Sequence, residues 1–230
     1  MTAAAVAEAG AGAASGPPIR DAATVIALRD APQAPRVLMG QRGAGAAFMP
    51  SKFVFPGGAV DPGDAAIPLA EPLEDASTAR LGTQAHALAA AAIRELWEET
   101  GLALGHPGRW PGAVPPDWAG FAALRLVPSA AGLRFIFRAI TPPGRPRRFD
   151  ARFFLIEADR LTGDLDDFSA ACEELAHLQW VPLTEARSFD LPFITEVVLA
   201  EVAALATGEA QDSVPFFDNA GGSPTFRRIA

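Results

Sequence analysis

The alternation of apolar and polar positions divides the chain into elements. Ile19 to Arg29 and Arg36 to Arg42 read as two strands joined by the turn-rich stretch DAPQAP. Lys52 to Phe55 is a short third strand running into Pro-Gly-Gly. Asp61 to Thr83, rich in Pro, Asp, Ala and Gly, reads as an irregular excursion. Ala85 to Thr100 carries the strongest helical signal, and Gly101 stands where a C-terminal cap belongs. Pro116 to Leu126 is expected as a short helix. LRFIFRAI, residues 133–140, alternates cleanly and predicts a strand with Arg134 and Arg138 on one face and Phe135 and Phe137 on the other. Arg152 to Glu157 and His177 to Pro182 are further strands, Pro192 to Ala206 is an amphipathic helix, and the tail from Thr207 is weakly patterned. There is no internal repeat. Strands dominate with helices between and after them, so the fold class is α+β with a mixed β-sheet.

Composition narrows this picture. A chain of 230 residues, half of them apolar, suits one large domain with ample core. No apolar run approaches the roughly 20 residues of a membrane span. Residues 1–18, mostly Ala and Gly, read as a disordered leader without the basic and Leu-rich regions of a secretory signal. The domain is expected over 19–206 and a tail over 207–230. The one cysteine, Cys172, rules out a disulfide within the chain. It fits a reducing compartment such as the cytoplasm and is expected as a small buried apolar residue. His86, His106 and His177 lack metal-site spacing.

A net charge of −8 disfavours a nucleic-acid polymer as partner. Charge is uneven, however: between Leu133 and Arg152 stand Arg134, Arg138, Arg145, Arg147, Arg148 and Arg152 against one acid, Asp150. A local basic stretch in an acidic chain fits a small anionic ligand.

The sharpest signal is AAIRELWEETGLAL, residues 91–104. At about 100° per residue, Glu95, Glu98 and Glu99 fall within one arc of the helix, with Ile93 and Trp97 on the other side. Like charges at this spacing repel. A hard divalent cation, which prefers oxygen ligands, would offset that repulsion. A solvated acidic face, with Arg94 pairing to Glu98 at i, i+4, is the purely structural alternative. Upstream, FPGG places Gly57 and Gly58 at a strand end, where adjacent glycines permit close backbone approach.

These residues resemble a known family. RELWEETGL, Arg94 to Leu102, matches the second half of the Nudix box, R-E-U-x-E-E-x-G-U, at every specified position. Chance would produce such a match on the order of once in a hundred thousand chains of this length. The first half of the box is Gly, five residues, Glu; here Gly58 is followed six positions later by Asp64. The family normally places seven residues between that acid and the Arg. Here 29 separate Asp64 from Arg94, so about 22 are inserted, and the interruption resembles that of the coenzyme A and acyl-coenzyme A diphosphatase subgroup. A second signature of that subgroup sets an Arg 13 residues before the Phe of FPGG. Arg42 and Phe55 keep the spacing, while Gly40, Gly43, Ala47 and Ser51 depart from it.

The resemblance implies a Nudix fold, a mixed sheet between helices in an α/β/α sandwich. It implies Mg²⁺- or Mn²⁺-dependent hydrolysis of a nucleoside diphosphate linked to another group, with coenzyme A or an acyl-coenzyme A the closest substrate. Glu95, Glu98, Glu99 and Asp64 are the implied metal ligands. Glu95 or Glu98 would assist in deprotonating water, and Arg94 would hold a helix carboxylate in place. Many members carry another acid six residues before a Trp; Glu174 stands six before Trp180, as a metal ligand or general base. Gly57, Gly58, Arg42, Arg134 and Arg138 are the expected substrate contacts. Two alternatives stay open: a Nudix pyrophosphatase for ADP-ribose, dinucleotides or nucleoside triphosphates, and a non-catalytic nucleotide-binding module. The insertion over residues 65–93 is open to three roles: a lid, a homodimer contact or a specificity element.

Overall fold

The computed structural model describes residues 16–221 and 223–230; the expected leader lies outside them except for residues 16–18. In chain order the strands are β1 (Ile19–Arg29), β2 (Arg36–Arg42), β3 (Phe53–Val54), β4 (Gly57–Ala59), β5 (Gly105–Pro107), β6 (Leu126–Pro128), β7 (Arg134–Ile140), β8 (Arg148–Glu157), β9 (Leu175–Pro182), β10 (Val214–Asp218) and β11 (Thr225–Ile229). The helices are α1 (Asp75–Leu81), α2 (Ala85–Thr100), α3 (Ala119–Ala123) and α4 (Phe193–Ala206).

β1 is the hub. It pairs in parallel with β8 along most of its length, antiparallel with β4 through Ala22–Thr24, and antiparallel with β2 at its far end. The sheet runs β11-β10-β7-β8-β1-β2-β3, with β9 on β2, and β5 and β6 form a separate pair. Alternation along β1 serves two cores. Ala23, Val25 and Ala27 pack with Leu88, Ile93 and Leu96 of α2, and Ile26 and Leu28 pack with Val198, Leu199 and Val202 of α4. A fully buried Leu or Ile contributes about 1.5–3 kcal/mol, so these two layers fix α2 against β1 and β4. The helix ends where the sequence predicts: Gly101 is left-handed at φ 75° and its N–H donates to the Trp97 carbonyl at 2.8 Å.

Several expectations are corrected. The strand from Arg152 begins at Arg148, because parallel pairing with β1 continues back to Ile19. The helix expected over Pro116 to Leu126 is a 3-10 turn followed by α3; Arg125 turns left-handed at φ 59° and starts β6. The tail is sheet: β10 pairs in parallel with β7, and β11 folds back on β10. The pairing of β7 with β8 slips between Phe135 and Phe137. A bulge inverts the inward and outward pattern. Phe135 therefore joins the α2 core and Phe137 the α4 core, which puts Arg134 and Arg138 on opposite faces rather than on one.

The segment over residues 65–93 is stitched to the body. Ala70 N–H donates to the Pro128 carbonyl, Ala130 N–H to the Glu71 carbonyl, and Phe135 N–H to the Ser77 hydroxyl. Ile67 and Leu73 join the α2 core, so the excursion buries apolar side chains although it lacks a periodic pattern.

Candidate active site

The C-terminal half of α2 lies over β4. This places Arg94, Glu95, Glu98 and Glu99 against the Pro-Gly-Gly turn. Gly57 N–H donates to Glu99 Oε2 at 2.7 Å. A Cβ at Gly58 would stand 2.4–2.5 Å from the Glu95 carboxylate, so a side chain at this position would displace it.

Arg94 is the centre of the cluster. Its Nε and Nη2 donate to the two oxygens of Asp64 at 3.1 Å each, Nη2 also donates to the Ala59 carbonyl, and Nη1 reaches Glu95 at 2.8 Å and Glu98 at 3.3 Å. Against the cost of burial, the bond to Asp64 and the charge of Glu95 raise its pKa and keep it charged. Asp64, expected as a metal ligand, is instead the buried partner of Arg94. Its carboxylate is 2% exposed and also accepts the Asp61 N–H at 2.8 Å. One methylene shorter than Glu, it stops at the guanidinium.

The three glutamates are electrostatically uncomfortable. Burial pushes Glu95 up to about 7 despite Arg94, with Glu98 and Glu174 adding to the rise. Burial also raises Glu98 and raises Glu99 well above the usual carboxylate range; Gly57 N–H opposes this for Glu99, while Glu95 and Glu174 reinforce it. Glu99 Oε1 is buried with no hydrogen-bond partner, in a side chain that is 1% exposed. Such an orphan is costly unless another group satisfies it. Among the described residues, no three acidic, His or Cys side chains converge closely enough to hold a metal ion as they stand. Arg94 holds Glu95 and Glu98, and Gly57 holds the other oxygen of Glu99. The chemistry of the set nevertheless fits a hard divalent cation: oxygen donors only, raised pKa values, and one buried oxygen without a partner.

Arg42, at the end of β2, donates from Nη2 to Glu174 Oε1 at 2.8 Å, joining residues 132 apart in sequence. Arg42 Nε is buried without a partner. Cys172, expected to be buried, is exposed: its N–H donates to the Glu98 carbonyl at 2.8 Å, which fixes the backbone at the cluster while the thiol faces out. Asp117 adds its charge to Glu98, a neighbour that no sequence spacing reveals.

Arg134 and Arg138 are not brought to the carboxylates. Arg138, expected on substrate phosphates, donates from Nε and Nη2 to Asp150 at 2.8 and 2.6 Å and lies over the Phe216 ring. Arg134 is half-buried on the opposite face, where its charge acts on Glu157. Arg152 is buried among Asp21, Gln84 and the Asp150 carbonyl.

This fold and this carboxylate helix define a hydrolase class, and comparison with known proteins identifies it. A crystal structure of a NUDIX hydrolase from Alicyclobacillus acidocaldarius superposes with a TM-score of 0.60 at 30% identity, covering 84% of this chain and 95% of that one. The chain belongs to the Nudix hydrolase superfamily. A Caenorhabditis elegans protein named "Putative nudix hydrolase 7" is 32% identical over 157 residues, which is 64% of this chain and 46% of that protein. The match thus spans about half the length of this curated relative. No family model matches the chain.

Proposed function

We propose that the protein hydrolyses the diphosphate bond of a nucleoside diphosphate linked to another group, with Mg²⁺ or Mn²⁺, and that its substrate is coenzyme A or an acyl-coenzyme A. The observation that carries the hydrolase reading is the buried, unpartnered Glu99 Oε1 in a carboxylate cluster built on the Nudix box. A module that merely bound nucleotide would gain nothing from an orphan of that kind. Glu95, Glu98 and Glu99 would hold the cation; Asp64 would not. When bound, the cation neutralises phosphate oxygens and lowers the pKa of a water.

The chain's own residues do the rest. Arg94, locked by Asp64, orients Glu95 and Glu98. Gly57 N–H orients Glu99, and Gly58 leaves room for Glu95. Glu174 is half exposed and held through one oxygen by Arg42, so its other oxygen is open to accept a proton from water. Arg42 supplies positive charge where an anionic diphosphate must approach the acids.

The coenzyme A assignment rests on the interrupted box, the Arg42–Phe55 spacing and the basic β7–β8 loop. A single exposed cysteine supports a reducing, cytoplasmic setting. Among the described residues no helix is long and apolar enough to cross a membrane.

A Mg²⁺-dependent hydrolysis screen read by mass spectrometry tests this, with Glu98→Gln as control. Coenzyme A and its thioesters should release adenosine 3′,5′-bisphosphate. Cleavage of ADP-ribose, dinucleotides or nucleoside triphosphates instead would keep the chemistry and discard the coenzyme A assignment. No turnover of any of them would favour the binding module.

A further inference from the structure

The structure sorts the basic segment into spent and unspent cations. Arg138 and Arg152 are bonded to acids, and Arg148 donates to the carbonyls of Thr141, Asn219 and Ala220. Arg145 and Arg147, on the exposed β7–β8 loop, have no hydrogen-bonding or acidic partner among the described residues. The loop opens directly onto Phe149, the second residue of β8.

Phe149 meets Phe48 edge-to-face, with ring centroids 5.2 Å apart and planes at 71°. Both rings are half-buried. Phe48 belongs to the β2–β3 loop, which leaves the body at Arg42 beside Glu174 and returns at Lys52, whose carbonyl accepts the Arg42 N–H. The loop therefore reaches from the carboxylate cluster to Phe149. Register gives the separation. Thr24 stands opposite Gly57, the residue bonded to Glu99, and Arg20 stands opposite Phe149. Four residues of strand span about 13 Å along β1, and Gly57 and Phe149 flank β1 on opposite sides, which adds about 10 Å across the sheet and brings the backbone separation to about 16 Å. An extended nucleotide with its diphosphate at Glu99 covers most of that distance, and the side chains of Phe149 and Glu99 cover the rest. In an edge-to-face pair one ring covers a face of the other while its own two faces are free of that contact, and such faces stack on bases.

We propose that Phe48 and Phe149 form the platform for the adenine of the substrate and that Arg145 and Arg147 bind its 3′-phosphate. The subsite would recognise a 3′-phosphorylated adenosine. It rests on the coenzyme A reading above and deepens it. Two guanidinium groups without acidic partners suit a phosphate dianion, for which Arg forks are the matched donors. Pro142, Pro143 and Pro146 stiffen the loop that presents them, so less entropy is lost on binding.

The test is calorimetric binding of adenosine 3′,5′-bisphosphate and of AMP, in Mg²⁺ buffer, to the full chain. The wild type should prefer the bisphosphate by about tenfold or more. Arg145→Ala/Arg147→Ala should abolish that preference while leaving AMP affinity unchanged. Phe48→Leu, which keeps an apolar contact on Phe149, should weaken both ligands alike, by about fivefold or more. Equal wild-type affinities, or a preference that survives the double substitution, would overturn the phosphate subsite. Unchanged affinities in Phe48→Leu would overturn the adenine platform. Cleavage is read separately: a wild-type enzyme that leaves coenzyme A intact overturns the substrate assignment, whereas the binding ratios decide the subsite.

Discussion

Arg94 and Asp64 form a buried pair in which two guanidinium nitrogens each meet one carboxylate oxygen at 3.1 Å, across 30 residues of sequence. The pair ties the 3-10 turn at Asp64 to α2. Removing one partner of such a pair leaves an uncompensated buried charge, at a cost of about 3–5 kcal/mol. Asp64→Ala should therefore lower stability by roughly that amount in urea unfolding. At conditions where it remains folded, its Mn²⁺ affinity should fall by about 10–100-fold, because Arg94 loses the partner that holds it against Glu95 and Glu98. An unchanged Mn²⁺ affinity would show that Asp64 does not position the ligands through Arg94.

The two glycines of the turn should fail differently. At Gly58 the obstacle to a Cβ is the end of the flexible Glu95 side chain; at Gly57 it is the backbone of Ala23 and Thr24, 2.5–2.6 Å away. Gly58→Ala is expected to keep its melting temperature within a few degrees and lose most of its kcat. Gly57→Ala is expected to lose about 2 kcal/mol or more of stability as well, because the β1–β4 pairing must shift. Equal stability losses in the two variants would contradict this account.

Glu98→Gln keeps the size of the side chain and removes its charge. Turnover should fall by about a thousandfold or more while circular dichroism and melting temperature are retained. Substantial Mg²⁺-dependent activity in the folded variant would remove Glu98 from the mechanism.

Arg138 offers the opposite case. Its fork is occupied by Asp150, so Arg138→Ala should cost about 1–3 kcal/mol of stability, with Asp150 left to Arg152 alone. KM for coenzyme A should not change. A raised KM in a variant of normal stability would restore Arg138 to the substrate site.

Glu95 is pushed up to about 7 by burial, above the usual value of 4.5. The native state therefore holds a proton that the unfolded state has released, and stability falls as pH rises from about 4.5 through 7. Without divalent metal, the melting temperature should decline over that window, and the decline should be shallower in Glu95→Gln. Mg²⁺ should stabilise the wild type more at pH 8 than at pH 5, because only the ionised carboxylate ligates. Equal slopes in wild type and Glu95→Gln would exclude Glu95 as the source.

Local pattern made much of this legible. β1, β2 and α2 begin and end where alternation, helical periodicity and the Gly101 cap predict. The spacing of Glu95, Glu98 and Glu99 is a property of one helix, so the sequence holds it complete. The spacing of Glu174 from Trp180 is written in the sequence, but the pairing of Glu174 with Arg42 depends on β2 and β9 lying side by side. β10 and β11 were missed because they are strands by virtue of pairing with β7 and with each other; alone they show little alternation.

The amino-acid sequence by itself determined the carboxylate helix, the glycine turn and the α+β class, since each follows from chemistry within a few residues. Tertiary structure decided which charges are free. It turned Asp64 onto Arg94, inverted β7 with a bulge so that Arg134 and Arg138 part, and exposed Cys172. It spent Arg138, Arg148 and Arg152 inside the fold and left Arg145 and Arg147 without acidic partners among the described residues. Partners from distant segments meet only through sheet register and core packing, and a linear pattern carries no record of that register.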